Sequence, residues 1–193
     1  MSSRRFRSAL AAVALMGGSL TVGAPAFAQS AHHTAAYAPI TVAEVEAAQQ
    51  AWGQALVAIA TEYDTNGHAA ATRLAEQVLD SAYAYNMGPV LFKPTLTVAP
   101  QTFRTTRDGA LAYFVGGNPA YPDTGFALKG WRNFRINNAS IVITGNTAIS
   151  MGNVHIFDAQ GNETVVDKTW GYVRDGEGKL RIVLHHSSLP YSG

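Results

Sequence analysis

The stretch WRNFRINNASIVITGNTAISMGNVHIFDAQGNETVVDKTWGYVRDGEGKLRIVLHHSS, residues Trp131–Ser188, decides the fold. Its apolar residues recur with a period of two, and turn-forming pairs interrupt it at Gly145-Asn146, Gly161-Asn162 and Asp175-Gly176-Glu177-Gly178. Four consecutive antiparallel strands follow from that pattern, at about 131–144, 147–157, 163–173 and 179–188. Upstream the period is 3.6. Thr41-Val42-Ala43-Glu44 is a capping box, and Val45, Ala48, Trp52, Leu56, Ile59 and Tyr63 continue one face of a long helix. Asp64-Thr65-Asn66-Gly67 ends it, and a second helix is expected over about 69–84, burying Leu74, Val78 and Ala82.

Between the two regimes lie short elements. Val90-Leu91-Phe92 reads as a strand stopped by Lys93-Pro94, and Phe103-Arg104 as a second one. A short helix capped at Thr105 or Thr106 then carries Leu111, Tyr113 and Phe114, and a glycine- and proline-rich loop runs from Gly116 to Gly125. Helices first and a meander last make an α+β fold, with a curved antiparallel sheet wrapped around the N-terminal helices.

The amino terminus has the three parts of a secretory signal. Arg4, Arg5 and Arg7 precede the apolar run Ala9–Met16, and small residues end at Ala26-Phe27-Ala28. The run is too short to span a bilayer, so a signal peptide at 1–28 and an exported, periplasmic or secreted protein are expected. Residues 29–39, which include His32-His33, read as a flexible leader, and 40–193 as a single domain. Losing three of the 14 basic residues leaves 11 against 13 acidic ones, so the net charge of +1 becomes −2. That surface argues against nucleic acid as a partner. There is no cysteine, so thiolate metal sites, cysteine nucleophiles and disulfide staples are all excluded.

The last strand raises a question about polar groups. Strict alternation puts Leu180, Ile182, Leu184, His186 and Ser188 on one face and Lys179, Arg181, Val183, His185 and Ser187 on the other. The first set starts as core, so His186 and Ser188 are expected to point into the mouth of the cone, with His185 and Ser187 outside. Two readings stay open: a polar pair serving a ligand, or two groups satisfying each other at a frayed strand end. Trp170 and Tyr172 share a face with Thr164, Val166 and Lys168, while His155 shares one with Met151, Asn153 and Phe157. Trp170, Tyr172 and His155 are candidates for a pocket wall, and the two aromatics read equally as core.

Taken together, Leu91-Phe92-Lys93-Pro94-Thr95, Phe103-Arg104-Thr105-Thr106, Ala110-Leu111-Ala112-Tyr113-Phe114, Thr169-Trp170-Gly171-Tyr172 and Leu180 through Pro190, with its His-His-Ser-Ser-Leu-Pro ending, resemble the iota-class carbonic anhydrases. The likeness covers essentially the whole domain. It implies the cone-shaped fold of nuclear transport factor two, ketosteroid isomerase and SnoaL-like proteins, and reversible hydration of carbon dioxide to bicarbonate and a proton. It also implies that Thr95, Tyr113 and Ser188 hold the bicarbonate, with His186 beside the serine as a further catalytic candidate. Hydroxyls both donate and accept, which suits an anion and an attacking water alike. A phenol or an imidazole is a candidate proton acceptor, the imidazole being better matched to neutral pH. No metal cofactor is expected, with zinc or manganese as the alternative, because no histidine triad of metal-like spacing is visible. A homodimer is expected. The rival to catalysis is a non-catalytic small-ligand-binding or assembly module on the same cone fold. An isomerase or dehydratase would need an inward carboxylate, for which Asp167 is a candidate only if it faces the cavity, and alternation puts it opposite Trp170.

Overall fold

Thr41 opens the first helix, α1 (Val42–Asn66), through a reciprocal cap. Its hydroxyl accepts from the Glu44 N–H at 3.2 Å, and its own N–H donates to Glu44 Oε2 at 2.8 Å. A cap of this kind contributes about 1 kcal/mol. The computed structural model describes residues 39–193. The signal peptide expected at 1–28, the His32-His33 pair and all of the leader but its last residue lie outside the described residues.

Gly67, at φ +79°, swings the chain directly from α1 into α2 (His68–Ala82). The inward face of α1 follows its spacing, with Val45, Trp52, Leu56 and Ile59 buried. In α2 the buried face is instead Ala70, Ala71, Ala75 and Leu79, and Leu74, Val78 and Ala82 are only partly covered. Small alanine side chains allow close approach of the helix backbones, and that packing outweighs the burial of larger residues one position away.

After α2 come β1 (Leu91–Lys93) and α3 (Arg107–Val115), the latter capped by the Thr106 hydroxyl, which accepts from the Gly109 N–H at 3.2 Å. One 3-10 turn, Phe126–Leu128, leads into β2 (Trp131–Thr144), β3 (Thr147–Asp158), β4 (Glu163–Arg174) and β5 (Leu180–Ser188). These boundaries match the sequence reading to within a residue, because the glycine turns leave few alternatives. Phe103-Arg104 is not a strand. Arg104 is fully buried, with its guanidinium forked onto Asp123 at 2.7 and 3.0 Å, and only its backbone N–H reaches the Phe92 carbonyl.

The sheet runs β1-β5-β4-β3-β2, antiparallel except for the β1–β5 pair. Its concave face covers α1, and the core joins both: Trp52 meets Trp170 edge-on at 5.6 Å. Among the described residues, no helix is long and apolar enough to cross a membrane. Three register shifts bend the sheet, the first between Trp131 and Asn133 at the start of β2. In β2 the register slips between Asn138 and Ser140, opposite Gly152, where a Cβ would stand 2.1 Å from the Asn137 carbonyl oxygen. In β5 the register passes from Gly171↔Leu184 to Tyr172↔Ile182, so Val183 is the extra residue. A bulge adds one residue to one strand, sharpens the twist and reverses the face of all that follows.

Candidate active site

The Val183 bulge corrects the reading of the last strand. Ile182 faces the core, but beyond the bulge the odd-numbered residues point inward: His185 and Ser187 are buried, while Leu184, His186 and Ser188 are half-exposed on the outer face. The expectation that His186 and Ser188 point into the cone is therefore corrected. Ser187 takes the place expected of Ser188, and His185 that of His186.

Thr95 and Tyr113 do converge, and on Ser187. Thr95 follows β1 at Pro94, and its Oγ1 lies 2.5 Å from Ser187 Oγ. Tyr113, on the buried face of α3, brings its hydroxyl to the Thr95 hydroxyl and to the backbone of Thr95 and Leu96. Burial pushes the Tyr113 phenol well above its ordinary range, against these hydrogen bonds. It therefore stays protonated at neutral pH and can donate to a ligand. A cavity of about 110 Å³ opens beside it, lined by Leu96, Tyr113, Asp123, Phe126 and Lys129 among others.

A buried chain of polar groups runs on from Ser187. Lys168 Nζ is 3.1 Å from Ser187 Oγ and 2.8 Å from His185 Nε2. His185 Nδ1 meets the Tyr83 hydroxyl at 2.8 Å, and that hydroxyl accepts from the Trp52 indole N–H at 3.0 Å. His185 also stacks on Phe92, ring centres 4.4 Å apart. Burial, reinforced by Lys168 and His186, pushes the His185 imidazole well below its usual range, so it is neutral. Lys168 lies over the Trp52 ring at 4.5 Å and near that of Trp170 at 5.7 Å. Even-numbered residues of β4 face inward, which puts Val166, Lys168, Trp170 and Tyr172 in one row.

Of the expected wall residues, Trp170 borders this chain, and Tyr172 lies one register step farther, beside Leu180 and Ile182. His155 does not belong to the wall. Inward positions of β3 are even-numbered, and His155 sits on the outer face against Glu163 at 2.7 Å and Arg135 at 3.1 Å. Asp167 likewise faces out, where its carboxylate accepts from Asn153. Lys168, His185, Ser187 and Tyr83 form a buried polar chain that sequence reasoning did not bring together. The available signal was Lys168 itself, a charged side chain between Val166 and Trp170 on an otherwise apolar strand face.

His185 and His186 point to opposite faces, and His68 is held by the Val115 carbonyl oxygen at 2.7 Å. Among the described residues, no three His, Asp or Glu side chains gather as a group able to hold a metal ion.

Residues 43–189 match the family model for metal-independent carbonic anhydrase. A metal-independent carbonic anhydrase from Nostoc sp. strain PCC 7120 is 65% identical over 153 residues, covering 79% of this chain and 75% of that protein. The crystal structure of the iota-carbonic anhydrase from a cyanobacterium complexed with bicarbonate superposes with a TM-score of 0.79 at 63% identity, over 80% of this chain and 95% of that one. A candidate calcium/calmodulin-dependent protein kinase II association domain from Xanthomonas campestris shares the fold alone, with a TM-score of 0.51 at 21% identity over 81% and 98% of the two chains. The chain thus belongs to the metal-independent carbonic anhydrase family.

Proposed function

We propose that this protein catalyses the reversible hydration of carbon dioxide to bicarbonate and a proton, without a metal ion, in the interior pocket of Thr95, Tyr113 and Ser187. The observation that carries the reading is the convergence of these three hydroxyls at the end of a buried chain that contains no carboxylate. As water adds to carbon dioxide, negative charge grows on the oxygens. Fixed hydroxyl donors in a water-poor pocket stabilise that charge far more than they stabilise the neutral reactant. The reversed direction uses the same contacts, since bicarbonate presents both acceptor oxygens and one O–H donor to hydroxyls that do both. Membership of a family described as metal-independent supports a hydration step carried by the protein's own groups.

Stopped-flow hydration with a pH indicator, on protein dialysed against chelator, tests this. Wild-type catalysis above buffer is expected, with a loss of roughly 100-fold in Ser187→Ala, the scale of removing one oxyanion donor, and little change in Ser188→Ala. Wild-type protein without activity, or loss in Ser188→Ala alone, overturns the reading.

The signal-like residues 1–28 support export, and a periplasmic or secreted address follows from them. The outer sheet face supports a homodimer through its exposed apolar residues Ile149 and Met151. Fractionation and light scattering test these two points.

A further inference from the structure

Hydration releases a proton, and the pocket must place it somewhere. The three hydroxyls do not serve: burial holds the Tyr113 phenol protonated, and serine and threonine are far weaker bases than an amine. His186 faces out. Of the other groups at the cavity, the Asp123 carboxylate is taken up by the Arg104 guanidinium and Lys129 is exposed. What remains inside is Lys168, 3% exposed, and its neighbours. Trp52 and Gln49 approach from α1, the Gln49 amide being engaged with Asn138 and Ser150. His185 and Ser187 come from β5, Gly152 lies opposite in β3, and Tyr83, Thr95 and Tyr113 reach it through those two β5 residues. No carboxylate is among them. An ammonium group here would be buried without a counter-ion, and desolvation lowers the amine to about 7.

The hydrogen bonds agree independently. The Tyr83 oxygen accepts from the Trp52 N–H, so its own hydrogen has His185 Nδ1 as acceptor. The ring hydrogen then sits on Nε2, aimed at Lys168 Nζ at 2.8 Å, which accepts only if it keeps a lone pair. The amine's own N–H then donates to Ser187 Oγ. An ammonium would force the ring hydrogen onto Nδ1 and leave the Tyr83 O–H without its acceptor.

We propose that Lys168 is the proton acceptor of the hydration step, acting through the Ser187 hydroxyl. This rests on the pocket reading above. The water oxygen forms a bond to the carbon of carbon dioxide while one C=O π pair moves onto its oxygen. The amine first rotates about its Cε–Nζ bond, releasing the His185 Nε2–H and turning its lone pair to the Ser187 hydroxyl. A water O–H bond then breaks as the proton passes to Ser187 Oγ, and the Ser187 hydrogen passes to that lone pair. The products are bicarbonate and a lysine ammonium, which is then the counter-ion that the anion needs in a buried site. After bicarbonate leaves, the ammonium gives its proton to a buffer base and the amine is restored.

Because the sequence has four lysines, Lys93, Lys129, Lys168 and Lys179, the protonation state is directly observable. In carbon-13-lysine-labelled protein the Cε signal missing from Lys168→Arg assigns Lys168. The proposal expects that signal to titrate near 7, and saturating bicarbonate to raise the Lys168 midpoint by about a unit or more. The hydration kcat/KM should rise with pH through the same midpoint. Lys168→Arg, a cation that does not deprotonate, should lose roughly 100-fold or more. No lysine signal titrating near 7, or an arginine variant within about threefold of wild type, overturns the proposal. Such a result with wild-type hydration intact leaves the hydroxyl pocket standing, whereas a wild-type protein that neither hydrates carbon dioxide nor binds bicarbonate removes the pocket reading itself. The wild-type titration decides the matter even if the arginine variant does not fold.

Discussion

Replacing Lys168 by methionine keeps an unbranched side chain of similar length and deletes its buried amine. Its effect should be a change in how stability depends on pH. In the folded protein the amine is held down to about 7 by desolvation, against 10.5 for a free lysine side chain. Between those values the unfolded chain binds a proton that the folded one does not, so stability rises with pH across this window. Above 10.5 the penalty is absent, and below about 7 it is present in full. The slope is at most about 1.4 kcal/mol per pH unit, which gives about 2 to 3 kcal/mol between about pH 7.5 and 9.5. The buried tyrosines have raised values and act only above that range, and His185, with its lowered value, only below it. Urea unfolding at the two pH values, on wild type and Lys168→Met, isolates the term. Wild type should gain about 2 to 3 kcal/mol more than the variant on going to the higher pH. Equal gains in the two proteins would refute the neutral buried amine.

Gly152→Ala should destabilise by about 2 to 3 kcal/mol, because its Cβ meets the Asn137 carbonyl at the β2 bulge and backbone cannot step aside; thermal melts check it. Asp123→Ala strands the buried Arg104 guanidinium and should cost about 3 to 5 kcal/mol in urea unfolding. Tyr113→Phe keeps the packing against Phe92 and Phe126 and removes only the hydroxyl. It should fold normally by circular dichroism yet lose roughly 100-fold in hydration rate.

Much of this fold was legible. The shift of period near Trp131 and the turns at Gly145, Gly161 and Gly178 delimited four strands almost to the residue, and Thr41-Val42-Ala43-Glu44 announced its own helix. The facing of β5 was not legible, because Leu180-Arg181-Ile182-Val183-Leu184 is uniformly strand-like and nothing in it marks a bulge. The trace lies on the neighbouring strand. Gly171 faces Leu184 so closely that a Cβ would come within 2.9 Å of the leucine Cβ, and a glycine in a strand often marks such a place. One unmarked residue moved the reading from Ser187 to Ser188 and from His185 to His186. Thr95 and Tyr113 were found through resemblance, since a threonine after Lys93-Pro94 and a tyrosine on a short helix carry no chemical signature alone. Lys168 escaped because a lysine in a strand is ordinarily solvated. Its burial appears only when the parity of β4 is set beside Trp52 above it.

Bicarbonate should bind inside the cone, on hydroxyls that now bond one another. A crystal structure of this protein with bicarbonate decides the point. The anion's oxygens should lie within about 3.2 Å of Thr95 Oγ1, Tyr113 Oη and Ser187 Oγ, with Lys168 Nζ on the far side of the serine. Bicarbonate seated on the outer face against His186 and Ser188, with the interior hydroxyls still paired to each other, would contradict it.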